Sequence, residues 1–258
     1  IQITENKLGT LPIDRLLLEM AIPMVISMLV QSIYNIVDSM FVARISEDAL
    51  TAVSLAFPVQ NILIAFAVGI GVGASALLSR FLGENNRDRV GSVAIHGVVI
   101  SAITYVIFAL VGILFTNSFA NAQGQNAAVT TYTKEYMYIV TIFSMGIFFQ
   151  VLAEKLLQAT SLTTYSMITQ ISGAVINLIL DPILIFGLFG FPRLEVKGAA
   201  IATVIGQIGG TLIGFYFNKT KNHDIKFTSK KFKFHGDIVK QIFWIGFPTT
   251  VMNTIGSV

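Results

Sequence analysis

Long stretches without a charged residue are what most constrain this chain. They cover residues 20–37, 49–79, 90–133, 136–153, 156–180 and 198–218, and a last run, 241–258, reaches the end of the sequence. About 20 apolar residues cross the hydrocarbon core of a bilayer as a helix. Backbone groups in that core must satisfy one another, which leaves only helices or closed barrels. Barrel strands would alternate apolar and polar residues over about ten positions, and no such alternation is visible. The predicted class is therefore all-α, a polytopic membrane protein. Composition agrees: 54% of residues are hydrophobic and 12% charged, about half the charged share of a soluble domain. Such a chain can neither cover a water-facing surface nor remain disordered.

Seven helices are expected, over about 13–42, 49–81, 92–116, 132–158, 165–189 and 198–217, with a seventh starting near 237. The 90–133 run is too long for one span, so the polar stretch Asn117–Asn126 is read as its loop, and Thr160–Ser166 as the break after the fourth helix. With the N-terminus on one side, Arg44, Lys134, Arg193 and Lys197 fall on the other, leaving thirteen of the seventeen basic residues, Lys7 and Lys226 to Lys233 among them, on the first. Positive charge accumulates on the cytoplasmic side, so the N-terminus is expected there. No basic segment followed by a short apolar run marks a cleaved signal peptide. The chain has no cysteine, which excludes disulfides and thiolate chemistry.

Residues 218–236 read as a basic cytoplasmic linker, chiefly a solvated positive-inside loop, with lipid headgroup contact as the alternative. The helix beyond it repeats the layout of the first: Pro23 aligns with Pro248, Ser32 with Ser257 and Ile33 with Val258. Internal duplication marks many secondary transporters, whose sites lie between the repeats. The expected organisation is a six-helix lobe over 1–217, the linker over 218–236, and the start of a second lobe over 237–258, with the rest of that lobe missing.

Two acids lie deep in spans, Asp38 in the first and Asp181 in the fifth. Each costs about 2.5–3.5 kcal/mol in lipid unless paired or facing water. Gln31, Tyr34, Asn35 and Asp38 share one helical face by their spacing. Gly173, Asn177 and Asp181 repeat at four on the fifth span, and Thr203 and Gln207 at four on the sixth. Carboxylates, amide oxygens and hydroxyls are hard donors suited to Na+, or a carboxyl among them is a proton site. The plainer reading, interhelical hydrogen-bond glue, fits Thr203 or Gln207 alone better than it fits two aspartates with an Asn one turn away.

Other features read plainly. Gly69, Gly71 and Gly73 lie inside an apolar helix with no preceding strand, so they serve close helix packing rather than nucleotide binding. His96, His223 and His235 have no metal spacing. Glu154 and Lys155, near the cytoplasmic end of the fourth span, are explained by snorkelling, with a gating or proton role for Glu154 as the alternative. Most Phe and Met face lipid or core; a minority can line a cavity for aromatic cations.

The runs AIPMVISMLVQSIYNIVDSMFVARIS, LLSRFLGENN, NLILDPILIFGL and VKGAAIAT resemble, in order and spacing, the multidrug and toxic compound extrusion (MATE) transporters. The resemblance extends from about residue 13 to the end. It implies twelve helices in two lobes, exporting organic cations and other amphiphiles across the cell membrane, here a bacterial inner membrane, in exchange for Na+ or H+. It puts the coupling-ion residues at Asp38, Asn177, Asp181 and Thr203, with Tyr34 beside them. Gln31, Tyr34, Asn35 and Gln207 are expected to meet substrate. Ala43 and Ser161 stand where the family often has Gly. No catalytic residue, resident cofactor or nucleic-acid partner is expected; the partners are small amphiphilic drugs, the bilayer and the absent second lobe.

Three rivals remain in view. A lipid or lipid-linked oligosaccharide flippase would line its cavity with Arg and Lys, whereas the deep polar residues here are acids and amides. An intramembrane aspartyl protease could use Asp38 and Asp181 as a proton-sharing pair, but its GxGD signature is absent. A non-transporting scaffold would show no ion-dependent stability.

Overall fold

The computed structural model describes residues 12–124, 126–225 and 234–255. Among them are eight α-helices: α1 (Ile13–Ala43), α2 (Glu47–Gly83), α3 (Arg87–Gln123), α4 (Ala127–Ile142), α5 (Met145–Ala159), α6 (Thr163–Phe186), α7 (Val196–Thr220) and α8 (Gly236–Ile255), with a 3-10 turn at Leu188–Gly190. There is no strand among the described residues. Five helices are long and apolar enough to cross a membrane, and α4 with α5 makes a sixth span. The described part of α8 is not among them. Lys7, the lysines from Lys226 to Lys233, Ser257 and Val258 lie outside the described residues.

Short polar residues set the helix starts. Side-chain oxygens of Ser46, Asn86 and Asn126 accept hydrogen bonds from the backbone N–H groups of Ala49, Arg89 and Val129, taking up donors that no preceding turn can satisfy. Gly187 ends α6 in the left-handed region, at φ 73°, where a Cβ is disfavoured. The loops joining α1 to α2, α3 to α4 and α6 to α7 lie at one end of the bundle, and the tight turns after α2 and α5 at the other.

Three boundaries differ from expectation. Helix α3 continues to Gln123 through the polar stretch read as loop, because Asn, Ser and Gln are tolerated in a helix that has left the apolar layer. The break after the fourth span is narrower than Thr160–Ser166, since α6 already begins at Thr163. The fourth span itself is broken: α4 and α5 bend by 47° around Phe143–Ser144. The break lets Gly146 sit flush against Gln207 of α7, and the Thr211 hydroxyl donates to the Gly146 carbonyl at 2.9 Å. In the run IVTIFSMGIFF only Ser144 and Gly146 mark the place, with no Pro or charge beside them.

The core is aliphatic, with Leu63, Leu77, Leu78, Phe148, Leu152 and Leu156 all but inaccessible. Glycines bring helices close: the Gly173 backbone of α6 packs on Gly206 of α7, and Gly198 on the Leu184 backbone. Around this core stand exposed apolar residues such as Leu29, Leu114 and Leu212. An apolar exterior of that extent is what lipid, not water, solvates. Helix α1 is the least enclosed, with α6 as its chief neighbour.

The segment after α7 is tied to the lobe at both ends. Asn218, fully buried, donates to the carbonyls of Ala153 and Gly214, each at 2.9 Å. At the other end, the His235 backbone N–H donates to His96 Nε2 at 2.9 Å. Residues 218–220, expected in the linker, are the last turn of α7.

Candidate functional site

The polar residues converge near the end of the bundle that carries Arg44 and Arg193, where α1, α6 and α7 meet. Asp38 is on the penultimate turn of α1, Asn177 and Asp181 are one turn apart on α6, and Thr203 lies in the second turn of α7. Asp181, Asn177 and Thr203 are buried, and Asp38 is half-buried. The Asp38 and Asp181 carboxyls are within hydrogen-bonding reach of each other. Asn177 Nδ2 donates toward both Asp181 Oδ1 and Thr203 Oγ1, each at 3.4 Å. The Tyr34 hydroxyl lies close to Thr203.

This arrangement leaves acceptors without donors. Asp38 Oδ1, Asn177 Oδ1 and Asp181 Oδ2 are all buried and unpartnered. Orphaned buried oxygens are costly, and two carboxylates in contact cannot both be ionised and bare. A proton shared by the pair, or a Na+ accepting the three oxygens, satisfies both conditions. The donor set is all oxygen, as a hard cation requires. No group of three or more His, Asp and Glu residues able to hold a metal occurs among the described residues.

The other expected substrate contacts separate from this centre. Gln31 Nε2 donates to Asn35 Oδ1 at 3.2 Å and Gln31 Oε1 accepts from Gln170 of α6 at 3.4 Å. That ladder follows the α1–α6 seam, and Asn35 is exposed. Gln207 packs its Cβ on Gly146 at the bend, a packing role one turn away from Thr203. One residue missed in the sequence belongs nearby: Tyr136 of α4, which donates to Gln60 of α2 at 3.2 Å and lies within electrostatic range of Asp38 and Asp181. Tyr136 is the first residue of an uncharged run, a position that carries no special pattern. Glu154 is also misread as snorkelling: it is only 9% exposed and accepts from Gln150 Nε2 at 3.0 Å.

By its helices and its apolar exterior, the molecule is an all-helical, multi-pass membrane protein. A sequence profile of the MatE family matches residues 23–183, more than half of the chain, and the chain belongs to that family, whose members are transporters and not enzymes. Among curated relatives, the FAD transporter of Shewanella oneidensis is 32% identical over 76% of this chain and 44% of its own length. The Multidrug export protein MepA of Staphylococcus haemolyticus is 31% identical over 93% of this chain and 52% of its own. The chain thus spans about half the length of the curated relatives it matches. A solved MOP superfamily transporter from Pyrococcus furiosus superposes with a TM-score of 0.89 at 27% identity, over 97% of this chain and 55% of that one.

Proposed function

We propose that this chain forms the first lobe of a multidrug efflux antiporter of the bacterial inner membrane, with its N-terminus cytoplasmic and a second lobe following α8. The proposed coupling site is Asp38, Asn177, Asp181 and Thr203, and the coupling ion is Na+ or H+. The observation that supports this best is the set of three orphaned oxygens around two touching carboxyls, which is complete only with a cation or proton. Organic cations and other amphiphiles leave by a cavity between the lobes; α1, whose apolar and polar faces are largely uncovered, lines it. Ion binding neutralises the pair and lets α1 repack against α6 and α7. Only a difference in ion affinity between the two states can drive that change, and a full reversal of populations needs about 5.5 kcal/mol. Removing an unpaired charge from a buried site is of that order. FAD, the cargo in one relative's name, is a diphosphate; the acids and amides here favour cations over it.

The test is ion-driven efflux of a fluorescent organic cation from vesicles containing the full transporter. Asp38→Asn and Asp181→Asn should each abolish the ion dependence. Unchanged coupled efflux in both variants overturns the reading.

A further inference from the structure

A third carboxylate lies inside the same lobe, away from the Asp38–Asp181 pair. Glu154 and Gln150 occupy one face of α5, one turn apart, both about nine-tenths buried. The Gln150 amide fits where two glycines leave room: a Cβ on Gly173 of α6 would stand 3.2 Å from its Nε2, and one on Gly210 of α7 would stand 2.8 Å from it. Glycine at both positions is what admits a polar side chain between α6 and α7. Glu154 accepts from that amide, and none of the ion pairs among the described residues involves it. The charged group beside it is Lys155, whose Nζ donates instead to Gln158 Oε1 at 3.0 Å.

These residues continue in both directions. One turn of α6 beyond Gly173 is Asn177, which holds Asp181 and Thr203. One turn of α5 beyond Glu154 is Gln158, whose Nε2 donates to Ser166 Oγ at 2.9 Å beside the α5–α6 turn. Polar side chains thus stand on both sides of Gly173 in the lobe core, Asn177 with the carboxyl pair toward one end of the bundle and Gln150, Glu154 and Gln158 toward the other. A buried carboxylate that forms no ion pair, its neighbouring ammonium being directed to Gln158, is stabilised when a proton or a cation neutralises it.

We propose that Glu154 is a second station for the coupling ion, and that the ion passes between it and the Asp38–Asp181 pair through the core of this lobe, past Gln150. The inference rests on the antiport reading above. It gives Gln150 the role of a relay and Gln158 with Ser166 that of the exit.

The experiment pairs cation binding with transport in the full protein, using 22Na+ and proton uptake at two pH values, for wild type, Glu154→Gln, Gln150→Leu and Asp38→Asn. Glu154→Gln preserves shape and the hydrogen bond to residue 150, so it separates charge from packing. The expected result is loss of one binding step in Glu154→Gln, with the step lost in Asp38→Asn still present, unchanged affinity for the fluorescent cation, and coupled efflux slowed by about tenfold, within the usual range of such couplings. Gln150→Leu should slow efflux while keeping both binding steps. Wild-type binding and efflux in Glu154→Gln overturn the station, whatever Asp38→Asn does. If Asp38→Asn keeps coupling while Glu154→Gln loses it, the antiport site at Asp38 is wrong and the station at Glu154 stands.

Discussion

The backbone of Gly246, on α8, rests directly on the backbone carbonyl of Gly69, on α2. One turn along, Gly73 meets the Ile242 carbonyl in the same way. The first helix beyond the linker is thus joined to this lobe main chain to main chain, as small residues allow in membranes. Gly246→Val or Gly73→Leu should lower stability by about 1–3 kcal/mol, the usual penalty of overpacking. Thermal unfolding in detergent measures this, with Gly83→Ala as control because open space surrounds that position. Equal melting temperatures for all three would show that the contact does not hold α8.

His96 is fully buried, with Nδ1 2.7 Å from the Ser92 carbonyl and Nε2 accepting from the His235 backbone. A neutral ring that donates through Nδ1 satisfies both contacts. His96→Leu leaves the His235 N–H without this acceptor, at a cost of about 1–3 kcal/mol, and should speed tryptic cleavage between α7 and α8. Unchanged cleavage would mean the ring does not anchor this segment.

Thr203 offers its oxygen to Asn177, and its methyl is incidental. Thr203→Ser should keep ion-dependent stabilisation, whereas Thr203→Val should weaken ion affinity by about tenfold, equivalent to one hydrogen bond of about 1–1.5 kcal/mol. Melting temperature followed against Na+ concentration and pH reads both. Equal behaviour of the two variants would remove Thr203 from the site.

Tyr136→Phe leaves Gln60 Oε1 without its donor. Stability should fall by about 1 kcal/mol while ion binding persists, because Tyr136 surrounds the carboxyl pair without touching it. Loss of ion binding in this variant would promote Tyr136 to a ligand.

Much of this was legible in the sequence, and what escaped has physical causes. Uncharged runs located the spans because charge is what lipid excludes most strongly. Asp38, Asn177, Asp181 and Thr203 stood out because spacing of three or four marks one helix face, and acids in a span demand partners. The bend at Phe143–Ser144 was invisible, since no Pro or charge interrupts the run; its cause is tertiary, the fit of Gly146 against Gln207. Glu154 was assigned to the interface by its distance along the helix, yet Gly173 and Gly210, on other helices, open the space that buries its partner Gln150. Whether a polar side chain points inward depends on neighbours that one helix cannot reveal.

The central claim is that Asp38 and Asp181 together hold the coupling ion. Binding of 22Na+ to the purified full protein at two pH values, with proton release recorded alongside, tests it most directly. Saturable binding of Na+, or pH-dependent uptake of a proton, should lose one and the same step in Asp38→Asn and in Asp181→Asn. Binding that survives intact in both variants would contradict it.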